Sequence, residues 1–455
     1  MERALRRFLA VAACASWPLL AQGCAATLAP IGHALIYVDT DAPLAAGPGS
    51  QMAFDEPAPL FDGLRVDVLD ANGAPACPSC TRDFAIDRDG LSSGSLSLSV
   101  VPREGVPVRV RFRMFRRVRL RGGEPPKAST IDVVTTLPGL PPEGVSEWTA
   151  YLPIARLAAP PGEPFPLVRG KPIPHESLGT AQARGCNGAP DRPGQVCIPG
   201  GTFWMRNAER AVSGTGEDLP ERAVLLGAFY LDAREVTVAE LRASGVVSAS
   251  DPTRGAGPSR ACTYTAEAGP NEDLPATCLS WNLAAAYCSA RGARLPTETE
   301  LEFASSGRRS DSYPWGNDPP SCTDAIFARD PGDGDGTPLP GILNGCTGAG
   351  LGPAKAGSGA RDRLVLPWGS VFDLAGNVSE WSSDRQPEGA KSSCSEPGYH
   401  ENPRCAPQSP SDETPRAVRG GSFAVVGTRS LARLYFAPGA SATFVGFRCA
   451  HDRRK

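Results

Sequence analysis

The sequence predicts two units of different build: a small all-β antiparallel sandwich, then a longer domain with little regular secondary structure. Three observations predict this. Between His33 and Ile154 short apolar–polar alternations recur at period two, with turn residues between them. Glycine and proline contribute 50 and 46 of the 455 residues, well above ordinary usage, which favours short elements and many loops. The 14 cysteines fall largely into close neighbours, as in a disulfide framework.

The chain opens with Arg3, Arg6 and Arg7, followed by an apolar stretch from Phe8 to Leu20 that is short for a bilayer span. Small residues then precede a cysteine in Leu20-Ala21-Gln22-Gly23-Cys24. Residues 1–23 resemble a bacterial lipoprotein signal, with Cys24 as the lipidated N-terminus and a membrane anchor. Ala21 and Gln22 depart from the usual pattern, so ordinary secretion is the alternative. Either route exports the mature protein, to the bacterial cell envelope as a periplasmic or outer-membrane lipoprotein, or into the medium.

In the N-terminal unit, residues 24–157, the expected strands are His33–Asp39, Leu64–Leu69, Ser95–Val101, Val106–Met114, Thr130–Thr136 and Trp148–Ile154. Turns such as Ala71-Asn72-Gly73 and Arg103-Glu104-Gly105 separate them, and their spacing suits a sandwich. Arg109, Arg111 and Arg113 alternate with Val108, Val110, Phe112 and Met114, and Arg116, Arg117, Arg119 and Arg121 follow. This Arg109–Arg121 stripe reads as a solvated face, or as a dock for an anionic envelope component such as lipid phosphate or acidic glycan. The net charge of −3 gives no global field for nucleic acid. Gly90-Leu91-Ser92-Ser93-Gly94 imitates a nucleophile motif but lies in a Ser/Gly-rich turn. Cys77-Pro78-Ser79-Cys80 lacks a thioredoxin-like context and reads as a local disulfide.

Residues 158–195 are Pro-rich and read as a stiff linker; the second domain spans 196–455. Helices are expected at Thr237–Ala243 and Asn282–Arg291. Thr297 and Glu300 form a capping box before Leu301, Phe303 and Ala304. With Cys14 in the signal and Cys24 lipidated, the neighbours Cys77/Cys80, Cys186/Cys197, Cys262/Cys278, Cys322/Cys346 and Cys394/Cys405 leave Cys288 and Cys449 over.

A series of short motifs runs through this second domain: Pro199-Gly200-Gly201-Thr202-Phe203, Phe229-Tyr230-Leu231-Asp232, Glu235-Val236-Thr237, Arg294-Leu295-Pro296-Thr297-Glu298, Tyr313-Pro314-Trp315-Gly316, Gly376-Asn377-Val378-Ser379-Glu380-Trp381, Arg419-Gly420-Gly421-Ser422-Phe423 and Gly446-Phe447-Arg448-Cys449. In that order they resemble the formylglycine-generating enzyme (sulfatase-modifying factor) family over about residues 196–452. The resemblance implies a C-type-lectin-like α+β domain and a Cys288–Cys449 bridge. Arg206, Val238 and Leu301 depart from the family pattern, and none touches a glycine that the fold is expected to need.

The resemblance also implies a structural calcium held by the Asp373 side chain, the carbonyls of Gly376 and Val378, and Glu380. Carboxylates and backbone oxygens in a tight loop suit a hard cation. The bland alternative is that both acids cap local turns. A second family calcium site has no clean match; Asp324 lies nearby, and the Asp330–Gly336 run lacks a closing glutamate. Family oxidases hold copper through two cysteine thiolates, and those positions fall here on Val425 and Ser430. No cysteine lies between Cys405 and Cys449, so copper chemistry is not expected. The histidines His33, His175, His400 and His451 lie on separate segments and do not suggest an iron triad.

The reading is therefore a calcium-stabilised module that binds a peptide or protein ligand without being an oxidase. Arg419, Ser422, Phe423, Arg429, Arg433 and Trp381 are the candidate ligand-facing residues. Two alternatives stand beside it: an oxidoreductase of the formylglycine-generating or siderophore-maturation type with a non-standard site, and an envelope scaffold tethered by Cys24.

Overall fold

Alternating side chains between His33 and Arg169 build two four-stranded sheets around one apolar core. The computed structural model describes residues 32–48, 56–70, 72–101, 108–141, 143–162, 164–173, 185–186, 193–206, 220–247, 262–265, 267–329, 345–388, 394–409, 411–424 and 429–452. The N-terminal strands are β1 (His33–Asp39), β2 (Gly63–Leu69), β3 (Thr81–Ala85), β4 (Ser97–Val100), β5 (Arg109–Phe115), β6 (Ile131–Thr136), β7 (Val145–Tyr151) and β8 (Val168–Arg169). They are ordered β4-β1-β7-β8 in one sheet and β3-β2-β5-β6 in the other. Ile36, Val38, Val66, Val110, Phe112, Met114, Ile131 and Val133 share the buried core.

Two features correct the all-β antiparallel expectation. β1 and β7 pair in parallel, His33 opposite Val145; no tight turn joins them, so local turn chemistry does not set their direction. A short helix, Arg88–Ser92, occupies the Ser/Gly-rich stretch read as a turn, capped by the Asp87 carboxylate accepting from Gly90 N–H. Ser92 closes that helix, and its exposed hydroxyl donates to the Asp89 carbonyl at 3.3 Å; no strand leads into it as a nucleophile elbow requires.

The first part of the Pro-rich stretch is docked on the core. β8 pairs with β7, the Phe165 N–H donates to the Val134 carbonyl at 2.7 Å, and Phe165 and Leu167 pack on the N-terminal core. The same core accepts Trp204 and Ala223 from beyond that stretch. Trp204 Nε1–H donates to the Leu60 carbonyl at 3.0 Å, and Arg116 and Glu221, both buried, pair at 2.7 Å.

The second domain continues with β9 (Gln195–Ile198), β10 (Gly201–Met205), β11 (Arg222–Leu226), β12 (Phe229–Asp232), β13 (Arg363–Leu366), β14 (Gly369–Phe372), β15 (Ser379–Arg385), β16 (Gly398–Glu401), β17 (Arg416–Arg419), β18 (Arg433–Phe436), β19 (Val445–Gly446) and β20 (Ala450–Asp452). These form small sheets, β10-β11-β16, β20-β12-β9, β13-β14 and β18-β17-β15-β19. Among the described residues the α-helices here are Val238–Ser244, Trp281–Ala290 and Glu298–Ser305. Thr237 and Thr297 each cap with a reciprocal glutamate, Glu240 and Glu300. The domain is α+β with little long-range regularity, and disulfides join its loops. All six pairs form: Cys77–Cys80, Cys186–Cys197, Cys262–Cys278, Cys288–Cys449, Cys322–Cys346 and Cys394–Cys405.

One departure from the family pattern does fall where a glycine would serve. Arg206 has φ of 59°, in the left-handed region that a Cβ disfavours. Its N–H is tied to the Glu302 carboxylate, which holds the backbone there.

Candidate functional site

The Arg419-Gly420-Gly421-Ser422-Phe423 segment leaves the end of β17, whose strand lies between β15 and β18. Both neighbours and the helix Glu298–Ser305 close over it. Trp381 and Ser422 have no exposed surface, Phe423 retains 1% and Arg419 3%. Trp381 Nε1–H donates to the Leu279 carbonyl at 3.0 Å. The Arg419 guanidinium pairs with Glu302 and donates to the Ser430 and Leu431 carbonyls at 2.9 and 3.1 Å. Arg433 turns its side chain inward onto Glu298. The structure thus corrects the ligand-facing reading: five of these six side chains are internal, and Arg429 is half-buried.

What they build is a buried charge cluster. Arg206, Arg222, Arg419 and Arg433 face Glu298, Glu302 and Asp384. Burial pushes Arg206 and Arg222 down to about 10 and Arg433 to about 9. It pushes the Asp384 carboxyl up to about 6, although Glu298 N–H and Cys405 N–H donate to it at 2.8 and 2.9 Å. The sequence shows these charges but not their convergence, because each pair joins segments far apart in the chain.

Ser430 stands where the resemblance places the second thiolate. It is 2% exposed; its N–H donates to the Ser312 carbonyl at 2.9 Å and its hydroxyl to the Asp311 carbonyl at 2.8 Å. The loop carrying Asp311 and Ser312 therefore covers this position. Val425 lies outside the described residues, as do Cys24, residues 1–23, His175 and Asp330–Gly336. Every cysteine among the described residues is in a disulfide.

The Asp373–Glu380 loop is strained and buried. Asp373 and Asn377 adopt left-handed φ of 51° and 65°. Asp373 accepts N–H donors from Gly357 and Gly359. Glu380 is held by Arg448, which also donates to the carbonyls of Asp232, Phe372 and Asp373 at 3.2, 2.8 and 3.1 Å. Two acids missed as site residues join them. Asp362 accepts from Leu374 and Ala375 N–H through one oxygen, and its other oxygen has no partner. Glu235 accepts from Asn377 Nδ2 at 3.1 Å, and its second oxygen is likewise unpartnered. Burial, reinforced by Asp373, raises Asp362 to about 8, and burial raises Glu235, Asp373 and Glu380. Arg361-Asp362-Arg363 reads in sequence as an exposed charge run, which hides the burial of its central carboxylate.

Four buried carboxylates stand here with one guanidinium, and two of their oxygens lack donors, an excess of buried negative charge that a cation would offset. No three His, Cys, Asp or Glu side chains among the described residues converge as a metal centre, so carbonyl oxygens must complete any shell. The Gly376 and Val378 carbonyls of the same loop are the available class of ligand.

The N-terminal arginine stripe is largely neutralised. Arg111 pairs with Asp132 at 2.5 Å, Arg113 with Asp67 at 2.8 Å and Glu124 at 2.7 Å, and Arg117 with Asp62 at 3.3 Å. His33, His400 and His451 sit on β1, β16 and β20, three different sheets.

Comparison with known proteins agrees with the motif order. Residues 182–332 and 366–453 match the model of the sulfatase-modifying factor enzyme 1-like domain. The formylglycine-generating enzyme of Thermomonospora curvata is 28% identical over 311 residues, covering 57% of this chain and 93% of that protein. The inactive C-alpha-formylglycine-generating enzyme 2 of Mus musculus is 37% identical over 120 residues, covering 26% and 34%. A solved structure of PvdO from Pseudomonas aeruginosa aligns at 21% identity and a TM-score of 0.37, covering 57% and 94%. With more than half of its residues matched to that domain model, the chain belongs to the sulfatase-modifying factor (formylglycine-generating enzyme-like) family.

Proposed function

We propose that this chain is an exported, lipid-anchored family member whose C-terminal domain binds a peptide or other ligand and has lost the copper oxidase chemistry. The observation that carries the reading is Ser430. A serine at the thiolate position offers no soft sulfur for copper, and its hydroxyl is spent on the Asp311 carbonyl. In this reading the N-terminal sheets form a sandwich and the C-terminal domain is C-type-lectin-like.

Calcium belongs to the same proposal. Asp373, the Gly376 and Val378 carbonyls and Glu380 would hold it, and the excess of buried carboxylate supports a cation there. Its chemistry is structural: it would neutralise the cluster and pin the loop. Glu380 already binds Arg448 through both oxygens, so its share in the shell is the weaker one.

The test is a turnover assay on the purified chain, using cysteine-containing peptides and scoring aldehyde formation by mass spectrometry with copper and oxygen supplied. The proposal expects no aldehyde above the no-protein control. Copper-dependent aldehyde formation would overturn it.

A further inference from the structure

The loop running from Gly307 to Gly316 and the segment Ala360–Leu366, which includes β13, line a cleft of about 440 Å³. Four arginines line it, Arg308, Arg309, Arg361 and Arg363, against one carboxylate, Asp311. Arg361 is fixed in place: it pairs with Asp318 at 3.3 Å and Asp324 at 3.8 Å, and its guanidinium lies 5.5 Å from the centre of the Trp315 ring. Trp315 stacks on buried Tyr313 at 4.7 Å, and its Nε1–H donates to the Asp318 carbonyl at 3.0 Å. These contacts hold Arg361 on one wall of the cleft.

Arg309 and Arg363 line the same cleft. Both are exposed, and neither pairs with a carboxylate among the described residues, whereas the N-terminal stripe is largely paired. Scattered surface arginines are ordinarily just solvated. These two line one concavity with Arg361, and a second hollow of about 320 Å³ meets it at Arg309 and Asp311 and reaches Pro59 and Phe61 of the N-terminal unit. The net positive lining would repel a cationic ligand and concentrate an anionic one.

We infer that this cleft binds a compact ligand carrying two phosphate-type oxyanions. Arg309 and Arg363 make the charge-assisted contacts, and Arg361 is the preorganised third cation. Guanidinium forks match such oxyanions with paired N–H donors, and the volume suits a small molecule. A free bisphosphate and a lipid headgroup share this chemistry. The inference names a ligand class for the binding module proposed above and rests on that reading.

The test uses the full chain and two probes. Glucose 1,6-bisphosphate is titrated by calorimetry at low salt, and phosphatidylcholine vesicles with and without cardiolipin are used in flotation. The expected result is saturable binding of at least one probe that weakens about tenfold or more in the Arg309→Ala/Arg363→Ala double variant. Lys355→Ala, which removes an exposed lysine outside the cleft, should leave binding unchanged. Binding of the soluble probe assigns a free ligand, and binding of cardiolipin vesicles alone assigns a headgroup. Absence of binding to both, or binding that a folded double variant retains, overturns the inference. Failure here differs from failure of the module reading, which aldehyde formation alone would show.

Discussion

Arg448 closes on Glu380 with Nε 2.9 and 2.8 Å from the two carboxylate oxygens and Nη2 2.6 Å from the first, and both side chains are buried. The pair ties the Gly-Phe-Arg-Cys end of the chain to the Gly-Asn-Val-Ser-Glu-Trp loop. Removing one partner leaves an uncompensated buried charge, which typically costs about 3–5 kcal/mol. Arg448→Met should lower stability by about that amount in chemical denaturation, and Glu380→Leu/Arg448→Met should recover much of the loss. A double variant no more stable than Arg448→Met would show that the pair is not the dominant interaction.

The Cys288–Cys449 bridge joins residues 161 apart in sequence. In the chain-entropy model such a closure contributes about 5 kcal/mol. Cys288→Ala/Cys449→Ala should therefore lower unfolding free energy by a large part of that value. Cys77→Ala/Cys80→Ala, with a separation of 3, should cost far less. Equal losses would contradict the loop-length argument.

At Arg206 a left-handed backbone meets a buried guanidinium, and its Nε and Nη1 find no partner. Arg206→Gly removes the conformational penalty and the desolvated charge together, at the cost of a looser unfolded chain. A gain on the order of 1 kcal/mol is expected, read as a higher Tm. A loss of similar size would mean that the guanidinium contributes more to the Glu302 cluster than its burial costs.

Burial holds the Asp384 carboxyl up at about 6, against an ordinary value of 3.8. Between those values the folded chain takes up a proton that the unfolded chain does not. Its contribution to stability is fully present below 3.8 and is lost as pH rises through 6. Asp384→Asn should thus be more destabilising near pH 4 than near pH 7 in thermal melts. A difference between wild type and variant that does not change with pH would refute this assignment.

Local chemistry made part of the fold legible. Thr237 as a cap and the Thr297–Glu300 capping box mark two helix starts, and period-two alternation marks β1 to the residue. β3 escaped because its residues are mostly exposed and show no apolar alternation. The parallel β1–β7 pairing escaped because it depends on a distant partner. The candidate site was the least legible part. The Arg-Gly-Gly-Ser and Trp381 motifs identify the family but say nothing of which side reaches solvent. Burial of Arg419 depends on Glu302, 117 residues away, and that contact is set only by the assembled sheets.

The most direct test of the central claim is elemental mass spectrometry on the chain purified from an oxidising compartment without chelator. The account predicts about one calcium per chain, with copper and iron at background, as expected for buried carboxylates without thiolates. Copper or iron at one per chain would contradict it and would point to a redox centre built from ligands other than the family cysteines.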